Sequence, residues 1–507
     1  MKSGRFLYLN AIIMTAIEKE NKTLKQENFL LKAENAQLKK LLFGAKRERF
    51  IAAQDAAQGR LFEDQGRADA PQQEEVVSKP KKRKKRLKPV KRNTFPSKLR
   101  RQSEVIQPQG VDLEQMVKIG EDITEILAYV PADFYVKQII RPRLAHKTDE
   151  DQGVLQAPIP QRLIAKGMVD ESVIAQIAVE KILYHTPVHR FHKKLKQAGI
   201  DFISQTNLYN WFHAGAVHLV PLYDLFKADV LAQPYVQVDE TRIQVLSKNK
   251  PGASHRGQMW VIHSPKHRAV VFEYDPARSG AAAKSILKGF EGILQADGYT
   301  VYEQLNRNPV ITLVHCMAHA RRKFVDAQNT DPPRAEYFLQ RVQQLYKIEG
   351  QAREKEMDEE QRLHLRKQEA APILEELGRW LNEQFTEGRI LPRSPIGQAI
   401  TYTLQRWKGL SAYAEDGQIE IDNNLIENCI RPVALGRKNF LFAGSDQAAQ
   451  NLACLYSIIG TADKYGLNMH RYLSWLLRQV ATNKVTMDAL QWLPHQMDEQ
   501  TLAKFRD

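Results

Sequence analysis

The chain has 507 residues, a hydrophobic fraction of 43% and a formal net charge of +15, which calls for two to four domains with apolar residues enough for real cores. The positive excess points to a polyanionic partner, nucleic acid first, and no run approaches the ~18 uninterrupted apolar residues of a membrane span, so no membrane role is expected. Three cysteines, none in a C-x-x-C pair, exclude a disulfide framework and point to a reducing, cytoplasmic compartment.

Phe6 to Met14 is apolar but lacks a small-residue cleavage site, so it does not read as a signal peptide. Ile17, Leu24, Leu31 and Leu38 then recur every seven residues, with asparagines at three of the positions facing them. That pattern predicts a parallel coiled coil over residues 1–45, and with it a homodimer or higher oligomer. A solvated amphipathic helix packing on its own protein is the plainer alternative. Residues 46–98 are expected to be a disordered basic linker, since Gln, Asp and Glu give way to a dense cationic run broken by prolines. Within it Lys81, Lys82, Arg83, Lys84, Lys85 and Arg86 are candidates for sequence-independent phosphate contact, with a steep salt dependence; a solubilising linker would look similar. Residues 99–158 predict a small module built on a β-hairpin around Pro131. No cysteine precedes Cys316, so no structural zinc is expected there.

Residues 159–232 read as helical. One amphipathic helix spans Val173 to Leu183, a second Val188 to Ala198, and a third starts at the N-cap Ser204 and runs through Leu208, Trp211 and Phe212. The spacing resembles a helix-turn-helix DNA reader, with Arg190, Lys193 and Lys194 toward phosphates; a helical connector that reads no bases fits equally well.

From about residue 233 to 445 the pattern changes to an α/β core. Tyr235-Val-Gln-Val-Asp-Glu-Thr-Arg242 carries Asp239, and Gly257 to His263 and Ala269 to Tyr274 are further β-rich runs. Ala281 to Phe290 has helical spacing. Gly292-Ile-Leu-Gln-Ala-Asp-Gly-Tyr299 carries Asp297, and Val310 to Val314 makes a fifth strand. Three strands, a helix, a strand, a helix and a strand is the layout of a ribonuclease H-like fold with a mixed five-stranded sheet. In that layout the first and fourth strands are neighbours, so Asp239 and Asp297 can face each other. His315 and His319 stand four apart without an evident third ligand, while Arg321, Arg322 and Lys323 suit a grip on the DNA backbone. The long separation of Asp297 from Glu427 calls for an insertion, and the helical stretch placed at about 330–392 supplies it. Ile419-Glu-Ile-Asp-Asn-Asn-Leu-Ile-Glu-Asn-Cys-Ile-Arg-Pro432 is a turn running into a helix that carries Glu427, with Pro432 expected to bend or end it. Arg431 and the expected basic turn Gly436-Arg-Lys-Asn439, with Arg437 and Lys438, offer more backbone contacts. Residues 446–507 form a terminal helical segment.

Taken singly, each carboxylate has a plain explanation: a strand end for Asp239, an Asp-Gly turn for Asp297, a capping box with Asn424 for Glu427. Together, two strand-borne aspartates and a distant helical glutamate suit a site that holds two divalent cations and works on a phosphodiester. Hard oxygen ligands favour Mg²⁺ or Mn²⁺ over zinc.

Specific text then supports a family. Val238-Asp-Glu-Thr241, Ala296-Asp-Gly-Tyr299, His319-Ala-Arg-Arg-Lys-Phe324, Ile421-Asp-Asn-Asn424 with Glu427-Asn428, Arg431-Pro-Val-Ala-Leu-Gly-Arg-Lys-Asn439, Phe442-Ala-Gly-Ser445 and Tyr456-Ser-Ile-Ile-Gly-Thr461 resemble the insertion-sequence-66 family of DDE-type transposases over nearly the whole chain. The resemblance implies that Asp239, Asp297 and Glu427 are the catalytic triad and the metal ligands. It implies binding to terminal inverted repeats and target DNA, in a bacterial cytoplasm at the nucleoid. Relatives are commonly encoded beside two small accessory proteins, which become candidate partners. The chain departs from the family in its 99–158 module: Arg100-Arg-Gln and Leu144-Ala-His-Lys stand where cysteine pairs are usual, so this is a degenerate zinc module. The rival expectations are a catalytically inactive DNA-binding regulator derived from a transposase, and an RNA-cleaving nuclease on the same fold.

Overall fold

The computed structural model describes residues 143–145, 154–156, 161–165, 167–247, 253–305, 307–386 and 390–506. The heptads of Ile17, Leu24, Leu31 and Leu38, the cationic run Lys81 to Arg86 and the hairpin expected around Pro131 lie outside these residues. The chain divides into two compact units, residues 1–157 and 158–507. In the first, β1 (Arg143–Ala145) and β2 (Val154–Gln156) pair antiparallel.

The second unit opens with three helices. α1 (Glu171–Ile182) starts where the Asp170 side chain accepts from the Ser172 amide at 3.0 Å, an N-cap that satisfies one of the orphan donors of a helix start. α2 (Val188–Gln197) follows, then α3 (Gln205–Leu231), capped by Ser204. α3 is far longer than a short recognition helix. Leu208, Phe212, Leu219, Leu222 and Phe226 are all buried along it, so its apolar stripe is a core face.

The sheet comes next: β3 (Tyr235–Leu246), β4 (Ser254–Ser264), β5 (Ala269–Asp275), then α4 (Gly280–Ile286), β6 (Gly292–Ala296), α5 (Thr300–Leu305) and β7 (Ile311–His315). The strand order is β5-β4-β3-β6-β7, with β3, β4 and β5 an antiparallel meander and β6 and β7 parallel to β3. This is the mixed five-stranded α/β core that the sequence predicts, with its first and fourth strands side by side. β5 lies at an edge, where bare amides invite unwanted pairing. Here α13 (Asp446–Lys464) covers it. Ser457 Oγ accepts from the Phe272 amide at 2.8 Å and Thr461 Oγ1 from the Val270 amide at 3.0 Å. The spacing of Ser457 and Thr461 is one helical turn, which matches alternate residues of the strand.

Helices fill the interval between β7 and the Glu427 segment: α6 (Met317–Ala327), α7 (Pro332–Glu354), α8 (Glu359–Leu365), a π turn at Arg366–Ala370, α9 (Ala371–Thr386), α10 (Pro395–Gln405) and α11 (Trp407–Ser411). They share one apolar core, including Phe324, Phe338, Leu345, Leu377 and Ile400. A second, larger core joins α1–α3, the meander and the helices after residue 424. Those are α12 (Asn424–Phe440), α13, α14 (Met469–Thr482) and α15 (Glu499–Arg506).

Two local expectations fail in α12. Pro432 does not end the helix, which continues to Phe440, and Gly436 to Asn439 are helical rather than a turn. A proline inside a helix forfeits its own bond to the carbonyl four residues back. That carbonyl belongs to Asn428, an exposed residue whose backbone water can satisfy. No helix among the described residues is long and apolar enough to cross a membrane, and Cys316, Cys429 and Cys454 are free and buried.

Candidate active site

The site is built from a Gln-x-Asp text that occurs twice, Gln237-Val-Asp239 on β3 and Gln295-Ala-Asp297 at the end of β6. In the parallel pairing Gln237 lies opposite Gln295. Side chains alternate along a strand, so two residues beyond this pair, with Asp297 just past the end of β6, the two aspartates come near enough for the Asp297 charge to act on Asp239. The glutamines are fully buried and bonded to each other, Gln237 Nε2 to Gln295 Oε1 at 2.9 Å.

The same pair fixes the distant third carboxylate. Gln237 Nε2 also donates to the Asp422 carbonyl at 3.0 Å, and Gln295 Nε2 to the Glu420 carbonyl at 2.7 Å. The Glu420 amide donates to Tyr235 Oη at 3.1 Å, and Asn423 Nδ2 to the Val238 carbonyl at 3.3 Å. From the other side the Met317 amide reaches the Ile421 carbonyl at 3.1 Å. Residues 420–423 are thus stitched along β3 and β6, and α12 rises from them with Glu427 in its first turn. The N-cap is Asn423, whose side chain goes to Val238 rather than to the helix. Glu427 is therefore one position too far along to close a capping box.

The electrostatics tie the three together. Burial pushes the Asp239 carboxyl up to about 8, and the negative charges of Glu240, Asp297 and Glu427 add to that rise, against a 2.7 Å bond from the Glu240 amide. Asp297 takes part in a turn as well: its Oδ1 accepts from the Tyr299 amide at 2.9 Å. Next to it, Gly298 lies so close under Tyr402 and Arg406 that a Cβ would collide with both. Glu240 points elsewhere. Its nearly buried carboxylate is paired with Arg278 and accepts from Tyr302 Oη at 2.8 Å, while Arg278 stacks 3.9 Å from the Tyr299 ring.

His315 ends β7 opposite Ala296. Neither of its ring nitrogens has a hydrogen-bond partner among the described residues. Burial, helped by Arg406, brings it down to about 4, so it is neutral near pH 7. Among the described residues no three His, Cys, Asp or Glu side chains are gathered closely enough to hold a metal ion as they stand. This applies to the carboxylate triad and to His315 with His319 alike.

Of the cations singled out in the sequence, Arg190, Lys193, Lys323, Arg431 and Lys438 are exposed and Arg321 and Arg322 half-buried. Lys194 is exposed but pairs with Glu180 at 2.7 Å. Arg437 is half-buried and donates to the Arg242 carbonyl, so it serves the fold. Sequence reasoning passed over the glutamines, because lone polar residues in a strand read as a solvated face. The repeated Gln-x-Asp was the available signal.

Three uncharacterised proteins of Sinorhizobium fredii resemble the chain. The protein y4jD is 35% identical over 74% of this chain and 75% of its own length. The proteins y4hP and y4qI are 28% and 30% identical over 80% and 78% of this chain, and 77% and 75% of their own lengths. No solved structure matches. The sequence pattern described as "Transposase IS66 family" matches residues 166–451, from α1 through Glu427 and into α13. The chain belongs to the IS66 family of transposases.

Proposed function

We propose that this protein is a DNA transposase whose Asp239, Asp297 and Glu427 form the strand-cutting and strand-joining centre of a ribonuclease H-like core. The observation that supports the reading is the placement of Asp239, whose carboxyl burial pushes up to about 8 with the charges of Glu240, Asp297 and Glu427 adding to the rise. A carboxyl raised this far beside two other carboxylates marks functional sites more often than structural ones. The donors are all hard oxygens, which fits Mg²⁺ or Mn²⁺. The three side chains must still close up by rotation to share an ion, since they are not gathered in the structure. A divalent cation pair, when bound, supplies activation of the attacking oxygen and stabilisation of the leaving oxygen.

The chain's own residues do the remaining work. Asp239 gives up its proton as the site is occupied. The Gln237–Gln295 pair orients both strands and sets the start of α12, so Glu427 approaches the aspartates closely enough for its charge to act on Asp239. Arg321, Arg322, Lys323 and Arg431 hold the phosphate backbone of the element's inverted repeats and of target DNA. Water would cut the strand at the element end, leaving a 3′-hydroxyl there and a 5′-phosphate on the flank, and that hydroxyl would then attack a target phosphodiester, forming the new bond as the target's own 3′-oxygen leaves.

The test is Mg²⁺-dependent nicking of terminal inverted-repeat DNA by the wild type and by Asp297→Asn. The substitution keeps the shape and removes the charge, so nicking should fall to background while DNA binding persists. Undiminished cleavage would eliminate the assignment. DNA binding without cleavage by either form would favour an inactive regulator.

A further inference from the structure

Where α2, α3 and the end of α12 meet, a cavity of about 330 Å³ opens to solvent, walled by Tyr209, Phe212, Phe440 and Phe442. That is the small end of the ~300–1,000 Å³ range of small-molecule sites, a size for one planar ring system rather than an extended ligand. Lys181 lines it. The residue is 8% exposed, and its ammonium lies 4.0 Å from the Phe440 ring and 5.7 Å from that of Phe212. Among the described residues it makes no hydrogen bond or ion pair. A buried cation left with nothing but aromatic faces is ready for an acceptor.

The rim is held in an unusual way. α12 ends at Phe440, and Leu441 takes φ 58° and ψ −44°. The Phe442 amide bonds back to the Phe440 carbonyl at 2.6 Å. This is a three-residue turn of positive φ, rare and strained for a residue with a side chain. Ala443 on its far side is bonded to β3, its amide to the Gln244 carbonyl at 2.8 Å and its carbonyl to the Leu246 amide at 2.9 Å. The sheet therefore enforces the turn, and the turn keeps Phe442 at the mouth, 43% exposed. Strain of this kind persists where the surroundings impose it, and it clusters at ligand clamps.

The surroundings match a polyanion. His189 and Arg190 on α2 and Lys438 on α12 are exposed nearby. On α12 the exposed residues Asn428, Arg431, Leu435 and Lys438 recur every three or four positions, so they form one face leading from Glu427 to the cavity. At 1.5 Å per residue that track is about 20 Å long, roughly six base-pair steps at ~3.4 Å.

We propose that this cavity receives one unstacked nucleobase of the bound DNA end, some six nucleotides from the cut, with Phe442 and Tyr209 stacking on the ring and Lys181 donating to its acceptor edge. This rests on the DNA-cutting reading above. Guanine, whose O6 and N7 both accept, is favoured over adenine.

Binding of full-length protein, without divalent ions, to a labelled duplex with a single-stranded guanosine tract tests this, beside the same duplex carrying an adenosine or an abasic tract. The abasic tract should bind on the order of ten-fold more weakly, as loss of base–aromatic stacking does. Phe442→Ala and Tyr209→Ala should each erase most of that difference, and Lys181→Met should level guanosine with adenosine while keeping the preference over abasic DNA. Equal binding of abasic and base-bearing tracts by the wild type overturns the proposal and needs no variant to fold. If Mg²⁺-dependent nicking persists in that case, the pocket alone is lost and the enzyme reading stands. Failure to bind any DNA removes both. A change of mass in solution for Phe442→Ala with unaltered DNA preference would make the pocket a protein contact instead, and the proposal would fall.

Discussion

Two regions of this molecule bury charge, and they do it in opposite ways. In the helical interval, Glu349 and Arg366 are each 1% exposed and meet at 2.7 Å, and the Arg366 guanidinium also donates to the carbonyls of Tyr413 and Asp416 at 2.9 and 2.7 Å. Nearby Glu420 is shared by Arg353 and Arg362 at 3.1 and 3.0 Å. Burial alone would push Glu420 up, but Arg362 and Arg353 hold it below the usual range. Within β3 and just past β6 the balance is reversed: burial, with the charges of Glu240, Asp297 and Glu427 beside it, makes Asp239 keep its proton. Burying charge is costly unless it is matched. A carboxyl raised so far is commoner where a ligand completes the site.

The matched region should break hardest. Arg366→Met leaves Glu349 buried with its main partner gone and frees two carbonyls, for a loss of about 3–5 kcal/mol in denaturant unfolding. Glu349→Leu combined with Arg366→Met should recover much of that loss, because no lone charge remains. A single variant as stable as the wild type would show that Arg362, 3.5 Å from Glu349, already suffices.

The unmatched region should respond to pH instead. Folded Asp239 binds its proton up to about pH 8, whereas the ordinary value is 3.8. Between those limits the folded state holds the extra proton, so metal-free stability falls as pH rises from about 4 to about 8 and levels off above. Each unit is worth at most ~1.4 kcal/mol, and solvent reaching the half-buried carboxyl trims the total to about 2–4 kcal/mol. Asp239→Asn should therefore be less stable than the wild type by little at pH 4 and more stable at pH 8. Mg²⁺ should flatten the wild-type slope by taking the proton's place. Parallel pH profiles for the two proteins would show that Asp239 is not the strained group.

Much of this was legible in advance, and the reasons differ by region. The strands carried β-branched and aromatic runs, and the helices of the second unit carried caps such as Ser204, so their existence and order could be read from local text. The adjacency of β3 and β6 followed from the layout. The ion-pair region could not be read, because Glu349, Arg362, Arg366 and Glu420 sit in unremarkable charged helical and turn sequence and only tertiary packing selects the partners. The helix through Pro432 was misread because a proline's cost depends on whether the freed carbonyl meets water.

The two regions touch at Gln295, and the smallest effect on stability should appear there. Its amide donates to the carbonyl of Glu420, the ion-paired residue, and its carbonyl accepts from Gln237 two residues before Asp239. Gln295→Leu keeps the volume and removes these two bonds and a third, from Tyr235 Oη at 2.5 Å. Leaving those buried groups unpaired costs about 1–3 kcal/mol, and the variant should still fold, because β6 keeps its backbone pairing with β3 and β7. Catalysis should suffer more than stability does. With the tie from β6 to Glu420 lost and those from Gln237, Tyr235 and Val238 left in place, the register of Glu427 over the aspartates loosens, and a shift near 1 Å in a catalytic group costs on the order of 10²-fold. Single-turnover nicking should fall by about that factor while the affinity for end DNA changes little. Equal losses in nicking and in affinity would assign Gln295 to general folding, and no loss in nicking would mean that α12 finds its place without the glutamine pair.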